Sequence, residues 1–276
     1  MIIWLASYPK SGNTWIRLFL SCLLFSKEKL ANINDIKIEQ FPNRKHFKNI
    51  IDDVDNFNEF IKNCLNAQYL LNLDGNIKFF KTHNTLWTSG ENSFSNEENT
   101  LGTIYIVRDP RNVITSIKNH YNKKSYEEAL EFIKNEKKIL ASKKLKKEEY
   151  DLPTPISSWG NHYKSWKKMK KNYLLIKYEN LIESPNSEFY KIVNYIKKHT
   201  NFKFSEQEVK RAIDSCNFKN LKKQETANGF IESPKNTMNK FFYLGPDNNW
   251  ENLLNFKIKN DIEKNFEIEM KELNYL

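Results

Sequence analysis

Cysteine, glycine and proline are all scarce in this chain. Its 276 residues include 3 Cys, at Cys22, Cys64 and Cys216, which are far apart and odd in number. This excludes a disulfide framework and indicates a reducing compartment. The 7 Gly and 8 Pro exclude collagen-like and low-complexity architectures.

Long hydrophobic runs are also missing. No apolar run reaches the roughly 18 residues that a membrane-spanning helix needs. The most apolar segment, Leu18–Phe25, resembles the core of a signal peptide, but the sequence after it, Ser26-Lys27-Glu28-Lys29, is a poor cleavage site. We therefore expect a cytoplasmic protein with no membrane span.

Arginine is rare although the chain is basic. The formal net charge is +10, and 39 of the 44 basic residues are Lys. A lysine-rich surface can attract nucleic acid or an anionic membrane, and the runs Lys143–Lys147 and Lys167–Lys171 are the best evidence for such a binder. No aromatic stacking run accompanies them, which favours a solvated lysine surface and no nucleic-acid partner.

What the sequence does contain is apolar strands that alternate with helices, and its 14% aromatic residues exclude a disordered chain. The strand candidates are Ile2–Tyr8, Ile77–Lys81, Thr103–Val107 and Tyr173–Tyr178. The helix candidates are Thr14–Phe25, Arg111–Tyr121, Tyr126–Tyr150, Ser158–Met169 and Pro185–His199. This pattern predicts an α/β fold with a central parallel β-sheet flanked by helices. Without a repeat or a composition break, residues 1–276 are expected to form a single domain.

The strongest local signal is the strand–turn–helix at Ile2–Trp15. A glycine-containing turn that leads into a helix N-terminus is typical of an anion site, because backbone N–H groups and the helix dipole converge there. Gly12 permits a close backbone approach, Lys10 adds a cation, and Ser11, Asn13 and Thr14 add side-chain donors. The alternative is an ordinary turn with Thr14 as the helix cap.

A second signal lies where the third strand ends, at Arg108, with Ser116 two helical turns further on. Ligands of α/β sheets bind at strand C-termini, and the guanidinium fork fits phosphate oxygens. The alternative is a local salt bridge between Arg108 and Asp109, with Ser116 packed in the core.

A third signal, Lys81-Thr82-His83, ends the second strand and places a cation beside an imidazole. Histidine has the ordinary pKa, near 6.5, of a side chain that can accept a proton at neutral pH. A lone histidine is more often structural, so His83 by itself does not identify a catalyst.

Together these segments resemble the sulfotransferases that use 3'-phosphoadenosine 5'-phosphosulfate (PAPS), particularly the cytosolic type and its bacterial relatives. The matching elements occur in family order over residues 2 to about 250: Tyr8-Pro9-Lys10-Ser11-Gly12-Asn13-Thr14-Trp15, Lys81-Thr82-His83, Arg108 with Ser116, Tyr178-Glu179-Asn180, and Phe218. The resemblance implies the P-loop NTPase-like sulfotransferase fold.

The resemblance also implies roles for individual residues. The residues that would bind PAPS, or its product adenosine 3',5'-bisphosphate, are Lys10, Ser11, Gly12, Asn13, Thr14, Trp15, Arg108, Ser116, Tyr178, Phe218 and Gly245. His83 would be the general base, with Lys10 and Lys81 as catalytic cations and no metal. The acceptor would be a hydroxyl or amine of a small molecule, a sugar or a lipid; neither its identity nor the oligomeric state can be read.

The chain departs from the family pattern at one phosphate contact. The family's C-terminal Arg-Lys-Gly, which clamps the 3'-phosphate, aligns with Tyr243-Leu244-Gly245. Two cationic contacts are therefore missing, and Lys235 or Lys240 are candidates to replace them.

Two other functions stay open from the sequence. A nucleotide kinase or phosphotransferase could use a similar scaffold, but a Walker A loop needs Gly-Lys-Ser/Thr, and here Lys10 precedes the only glycine of the turn. A non-catalytic basic protein that binds nucleic acid or a membrane surface is the other.

Overall fold

The structure is a computed structural model that describes residues 1–26, 30–53, 56–140, 152–233 and 240–276. Its strands are β1 (Ile2–Ser7), β2 (Glu39–Gln40), β3 (Lys78–Thr82), β4 (Thr88–Ser89), β5 (Asn92–Ser93), β6 (Thr100–Val107), β7 (Ile139–Leu140), β8 (Thr154–Pro155) and β9 (Tyr173–Lys177). Its helices are α1 (Asn13–Phe25), α2 (Phe57–Asn72), α3 (Pro110–His120), α4 (Tyr126–Lys134), α5 (Trp159–Lys167), α6 (Tyr178–Glu183), α7 (Pro185–His199), α8 (Glu206–Ser215), α9 (Phe218–Asn228), α10 (Trp250–Leu253), α11 (Phe256–Asn265) and α12 (Glu267–Glu272). Two 3₁₀ turns cover Arg44–His46 and Gly245–Asp247.

The central sheet has five parallel strands in the order β2-β3-β1-β6-β9. All six residues of β1 are buried, as expected of a strand in the middle of a parallel sheet that is covered on both faces. The predicted α/β class is confirmed, and each of the four predicted strands is present. The fifth strand, β2, is only two residues long and leaves no periodic signal.

Side chains of β1 alternate between the two faces and seed two hydrophobic clusters. On one face Trp4 packs against Phe41, Phe94 and Trp166, with ring centroids 5.4 to 6.1 Å apart. Helices α2, α3, α4, α5, α11 and α12 cover this face. On the other face Ile3 belongs to a cluster formed with α1, α6, α7, α8 and α9. Helices therefore cover both faces of the sheet.

The parallel arrangement brings the C-terminal ends of β1, β3, β6 and β9 to one edge of the sheet. The turn at Lys10–Thr14 follows β1, and His83 follows β3. Arg108 and Tyr178 follow β6 and β9. Three of these loops lead directly into α1, α3 and α6, so helix N-termini gather at the same edge.

The long helix predicted over Tyr126–Tyr150 is wrong in its second half. Helix α4 ends at Lys134 because Asn135 leaves the helical conformation, with φ −68° and ψ 106°. Residues Ile139–Leu140 then pair with Thr154–Pro155 as strands β7 and β8. The rest of the predicted helix and the Lys143–Lys147 run lie outside the described residues.

Two lysines of the second run make ordinary surface contacts. Lys167 contacts Glu272, and Lys171 Nζ donates to the Glu97 carbonyl at 2.8 Å. These contacts agree with a solvated lysine surface. In the described ranges no helix is long and apolar enough to span a bilayer.

Candidate active site

The turn between β1 and α1 has a backbone conformation that glycine makes possible. Gly12 has φ +99°, and a Cβ at this position would lie 2.5 Å from Tyr178 Cδ2. Lys10, two residues earlier, also has a positive φ of 67°. Gly12 is the N-cap of α1, with no side-chain cap from any described residue, so the alternative that Thr14 caps the helix is wrong. The first N–H groups of α1 therefore face the turn without a side-chain partner.

Two side chains of the turn differ in where they point. The Ser11 hydroxyl is buried and has no hydrogen-bond partner among the described residues. The Asn13 amide instead donates to the Leu5 carbonyl at 2.9 Å and to Ser7 Oγ at 3.1 Å. Asn13 thus ties α1 to β1, and its side-chain amide is not directed at the turn as the sequence predicts.

The Lys10 ammonium lies in a largely enclosed position. Its Nζ is 3.3 Å from His120 Nδ1 and 3.9 Å from the centroid of the Phe241 ring. Burial, followed by the positive charges of Arg108 and Lys81, lowers the pKa of Lys10 to about 7. An anion bound here would offset those causes and favour the protonated lysine.

Arg108 connects the turn to α3. Its Nη1 donates to the Lys10 carbonyl and to Ser116 Oγ, both at 3.2 Å. Its guanidinium carbon lies 4.0 Å from the centroid of the Tyr178 ring. The buried Nε has no partner among the described residues, so its N–H is available to a ligand. Asp109 pairs with Arg111 at 2.7 Å, so the alternative of an Arg108–Asp109 salt bridge is wrong.

His83 has a fixed tautomer because of its backbone neighbour. Its Nδ1 lies 2.8 Å from the Ser7 carbonyl oxygen, which can only accept, so Nδ1 carries the proton. The lone pair is therefore on Nε2. Burial, and then the charge of Lys81, lower the pKa of His83 well below its usual value. The imidazole is neutral at physiological pH and can accept a proton at Nε2.

A second histidine supports the segment that carries His83. His162 Nε2 lies 3.1 Å from the His83 carbonyl, and its Nδ1 lies 2.8 Å from the Tyr105 hydroxyl. The carbonyl requires a proton on Nε2, so Nδ1 accepts from Tyr105. Burial lowers the pKa of His162 to about 3, which keeps this link uncharged.

Aromatic side chains surround the other end of the turn. Trp15 Nε1 donates to the Cys216 carbonyl at 2.8 Å, and its ring meets Tyr178 edge-on at 6.1 Å. Phe218 begins α9, two residues after Cys216, and packs on Gly245 so closely that a Cβ there would lie 2.2 Å from Phe218 Cζ. Direct contacts thus form two groups of predicted site residues. The first consists of Lys10, Gly12, Trp15, Arg108, Ser116 and Tyr178. The second is the pair Phe218 and Gly245.

Glu232 and Asn248 are residues of the site that sequence reasoning missed. Glu232 accepts from Arg17 Nη1 at 2.7 Å and from Thr14 Oγ1 at 3.4 Å. Burial opposes its ionisation, but Lys81 and Arg17 hold the pKa of Glu232 below its usual value. Asn248 is buried, accepts from Thr115 Oγ1 at 2.6 Å and donates toward Ser116 Oγ at 3.5 Å. Neither residue belongs to a recognisable motif, so no sequence signal marks them.

Of the two candidate replacements for the missing Arg-Lys contacts, Lys235 and Lys240, the structure describes only Lys240. Lys235 lies outside the described residues, and Lys240 Nζ donates to Thr226 Oγ1 at 2.9 Å. Lys222, which the sequence did not single out, donates to the Tyr243 carbonyl at 3.1 Å and lies 5.8 Å from the Phe218 ring centroid. Lys222 therefore brings a cation to the segment where the family has Arg-Lys.

The geometry defines an α/β protein whose first strand–turn–helix, with a left-handed glycine and no side-chain cap from a described residue, is not a Walker A loop. The sulfotransferase domain family model matches residues 2–274, and the chain belongs to this family. Sulfuryl transfer is therefore its general reaction, which sets aside the kinase and the non-catalytic binder.

Curated and solved relatives agree with this assignment. Human sulfotransferase 1E1 is 24% identical over 288 residues, 97% of this chain and 83% of the relative. Human sulfotransferase 2A1 is 24% identical over 277 residues, 97% and 83% of the two chains. The fold is similar to mouse sulfotransferase SULT7A1 complexed with PAP, with a TM-score of 0.60, 19% identity and coverage of 98% and 84%. It is also similar to retinol dehydratase in complex with retinol and PAP, with a TM-score of 0.61, 17% identity and coverage of 98% and 81%.

Proposed function

We propose that residues 1–276 act as one cytoplasmic sulfotransferase domain that moves the sulfuryl group of PAPS to a hydroxyl or amine of an acceptor. The observation that carries the proposal is the connection made by Arg108. One guanidinium joins the phosphate-type turn at Lys10 to Ser116 and to the Tyr178 ring. This connection supports the proposal, because the candidate contacts for the two ends of one nucleotide would then belong to one continuous cluster.

Two buried polar atoms fit the proposed donor. Ser11 Oγ and Arg108 Nε are donors without partners in the described part of the chain. Buried donors are nearly always satisfied in proteins, and an anionic ligand would satisfy both of these. The 5'-phosphosulfate would be held by Lys10–Thr14, and the 3'-phosphate by Arg108 and Ser116. Trp15, Tyr178, Phe218 and Gly245 would hold the adenosine.

PAPS supplies the sulfuryl group when bound, and the chain supplies the proton acceptor and the charge. His83 Nε2 would take the proton from the acceptor hydroxyl or amine, a contribution of about 10²–10⁴-fold in rate. Lys10 and Lys81 would stabilise negative charge that develops at the reacting centre. The carboxylate of Glu232 accepts a hydrogen bond from Thr14 of the same turn. Binding of PAPS would therefore require Glu232 to exchange this partner for another.

The second cation for the 3'-phosphate is proposed to be Lys222. It reaches the Tyr243 carbonyl from α9, whereas the family motif would provide cations from residues 243 and 244 themselves. Asn248 would add an uncharged contact beside Ser116. The cations at this end would then be Arg108 and Lys222.

The acceptor is proposed to be a small molecule, a sugar or a lipid with a free hydroxyl or amine. Retinol dehydratase has been solved with retinol and with androsterone, two small alcohols, which supports a small-molecule acceptor here. No metal is proposed to take part. The described ranges hold no group of three His, Cys, Asp or Glu suited to a metal ion.

The first test compares His83→Ala with the wild-type protein. We expect transfer from radiolabelled PAPS, screened against phenols, sugars and lipid extracts, to fall at least about 100-fold, because the proton acceptor is lost. Binding of adenosine 3',5'-bisphosphate, followed by calorimetry, should stay within about twofold. His199→Ala is the matched control, since His199 lies on α7 against Tyr195.

Full transfer activity in His83→Ala would contradict the base assignment. A thermal-shift comparison tests the donor itself. Adenosine 3',5'-bisphosphate should stabilise the protein more than ATP with Mg²⁺ does, and the opposite order would contradict PAPS as the donor. Transfer should also continue in the presence of EDTA.

A further inference from the structure

The pairing between β6 and β9 ends before Arg108 and Tyr178, so other contacts must fix the positions of these two residues. Strands β6 and β9 are in register as far as Val107 and Lys177. The next residues, Arg108 and Tyr178, lie outside this ladder, yet the guanidinium sits 4.0 Å from the ring centroid. Their relative position must be set by whatever holds the residues that follow, Asp109 and Glu179.

A closed circuit of hydrogen bonds holds those following residues. Glu179 Oε1 accepts from the Asp109 backbone N–H at 2.9 Å, which links the two strand ends directly. Glu179 Oε2 accepts from the Tyr275 hydroxyl at 2.8 Å. Arg111 closes the circuit, because its Nη2 donates to the Tyr275 carbonyl and to Asp109 Oδ2, both at 2.7 Å.

Further contacts fix the segment that brings Tyr275 to this place. Lys177 Nζ donates to the Leu273 carbonyl at 2.6 Å and lies 4.3 Å from the centroid of the Tyr275 ring. Arg111 also pairs with Glu263 at 2.6 Å and stacks on Trp250 at 4.1 Å. Residues from α10, α11 and the segment after α12 therefore hold Arg111 and Tyr275 in place.

The Tyr275 hydroxyl is one of the main groups that stabilise the charged form of Glu179. Burial raises the pKa of Glu179, and the donors that oppose this are chiefly the Asp109 N–H and the Tyr275 hydroxyl. The charge of Arg108 contributes least of the causes that shift this pKa, and Arg111 pairs with Asp109 and Glu263. Removal of the hydroxyl would leave Glu179 with one fewer of its two main donors and would loosen its hold on Asp109.

We propose that Tyr275 is a positioning residue for nucleotide recognition: through Glu179 and Asp109 it fixes Arg108 against Tyr178, and so sets the affinity for a 3'-phosphorylated adenosine nucleotide. The proposal rests on the proposed function, in which Arg108 holds the 3'-phosphate. Tyr275 itself touches no part of the predicted nucleotide site. Its effect should appear only in ligands that use Arg108.

The test uses Tyr275→Phe, which removes the hydroxyl and keeps the ring on Lys177. Tyr163→Phe is the matched control, because the Tyr163 hydroxyl donates to Glu272 at 2.7 Å and so forms the same type of bond without touching the strand ends. Calorimetry would measure the affinity of each protein for adenosine 3',5'-bisphosphate and for adenosine 5'-monophosphate, and a thermal scan would measure stability.

We expect Tyr275→Phe to weaken binding of the bisphosphate about three- to tenfold, the range of one hydrogen bond. Binding of the monophosphate should change less than about twofold. Tyr163→Phe should change neither affinity by more than about twofold, even if it lowers the melting temperature as much as Tyr275→Phe does. Glu179→Gln keeps an oxygen for the Asp109 N–H and should bind the bisphosphate within about twofold of wild type, whereas Glu179→Ala should lose at least as much as Tyr275→Phe.

Equal losses for the two nucleotides, or equal losses in Tyr163→Phe, would overturn the positioning role and leave Tyr275 as a structural anchor. Unchanged bisphosphate affinity in both Tyr275→Phe and Glu179→Ala would overturn it as well. Equal affinity of the wild-type protein for the two nucleotides would refute the 3'-phosphate site itself, and the positioning role with it. That result needs no variant, so the two failures are distinguishable.

Discussion

The two ends of the proposed nucleotide site are built in different ways. The turn at Lys10–Thr14 is one continuous segment whose conformation, charge and free donors come from neighbouring residues. The opposite end is assembled from four separate places: the residue after β6, α3, α9 and the loop before α10. They supply Arg108, Ser116, Lys222 and Asn248. The turn therefore depends on local backbone geometry, and the opposite end depends on how separate elements pack.

We expect the largest loss of nucleotide affinity when Arg108, which joins the two ends, is replaced. Arg108→Ala removes the donors to the Lys10 carbonyl and to Ser116. Loss of a buried charged partner costs about 2–5 kcal/mol, so affinity for adenosine 3',5'-bisphosphate should fall roughly 30-fold or more. Calorimetry with the bisphosphate measures this, and a loss below about threefold would show that the ends are not joined through Arg108.

The two glycines offer the sharpest comparison between the ends. Gly12→Ala and Gly245→Ala both combine a positive φ with a Cβ that would lie 2.5 Å or less from an aromatic carbon, in Tyr178 and Phe218 respectively. Each should cost about 1–3 kcal/mol of stability and at least tenfold in nucleotide affinity. Chemical denaturation and calorimetry measure the two effects.

Gly75→Ala is the control for the glycine pair. Its φ is +72°, but no atom lies within 4 Å of an added Cβ. It should show only the cost of the left-handed backbone, about 1 kcal/mol, with unchanged nucleotide affinity. If Gly12→Ala is no worse than Gly75→Ala, the close approach of Tyr178 to the turn does not matter.

The turn should also be the pH-sensitive end. Lys10 has a pKa of about 7 in the free protein, and a bound anion favours its protonated form. Affinity for the bisphosphate should therefore decrease as pH rises above 7, by at most tenfold per pH unit, until the pKa of the bound state is reached. Calorimetry between pH 6.5 and 9 would show this slope, and Lys10→Met should reduce it. An equal slope in Lys10→Met would assign the pH dependence elsewhere.

The smallest effect is expected at Lys222. Its Nζ contacts a backbone carbonyl in the segment where the family motif provides two cations. An exposed lysine of this kind contributes about 0.2–1 kcal/mol, so Lys222→Ala should weaken bisphosphate binding by no more than about fivefold at low salt. Lys240→Ala, whose Nζ donates to Thr226, is the matched control. Identical salt dependence in the two variants would remove Lys222 from the site.

The sequence was most informative where function follows from neighbouring residues. The parallel α/β class and the sulfotransferase family were both predicted from it and are confirmed, since apolar strands and the Lys10–Thr14 turn are local patterns. The assignment of roles to individual residues stays a prediction. His83 was the least certain of these in isolation, and its tautomer became visible only through the Ser7 carbonyl on another strand.

The failures have a common physical cause. The sequence directed the Asn13 amide at the anion, whereas the fold directs it to the Leu5 carbonyl. It extended α4 beyond Lys134, although Ile156 and Ser157 both donate to the Lys138 carbonyl and hold the chain in another conformation. In each case a partner distant in sequence decided the direction of a group that local preference left open.

The amino-acid sequence by itself determined the sheet, the turn and the types of charge available at the strand ends. Only the tertiary structure decided which of those charges meet. Arg108 binds the carbonyl of Lys10 rather than Asp109, and Tyr275 reaches the strand ends from the segment after α12. Propensity and periodicity act between neighbours in the chain, whereas hydrogen bonds between residues separated by 96 or 98 positions exist only after the chain has packed.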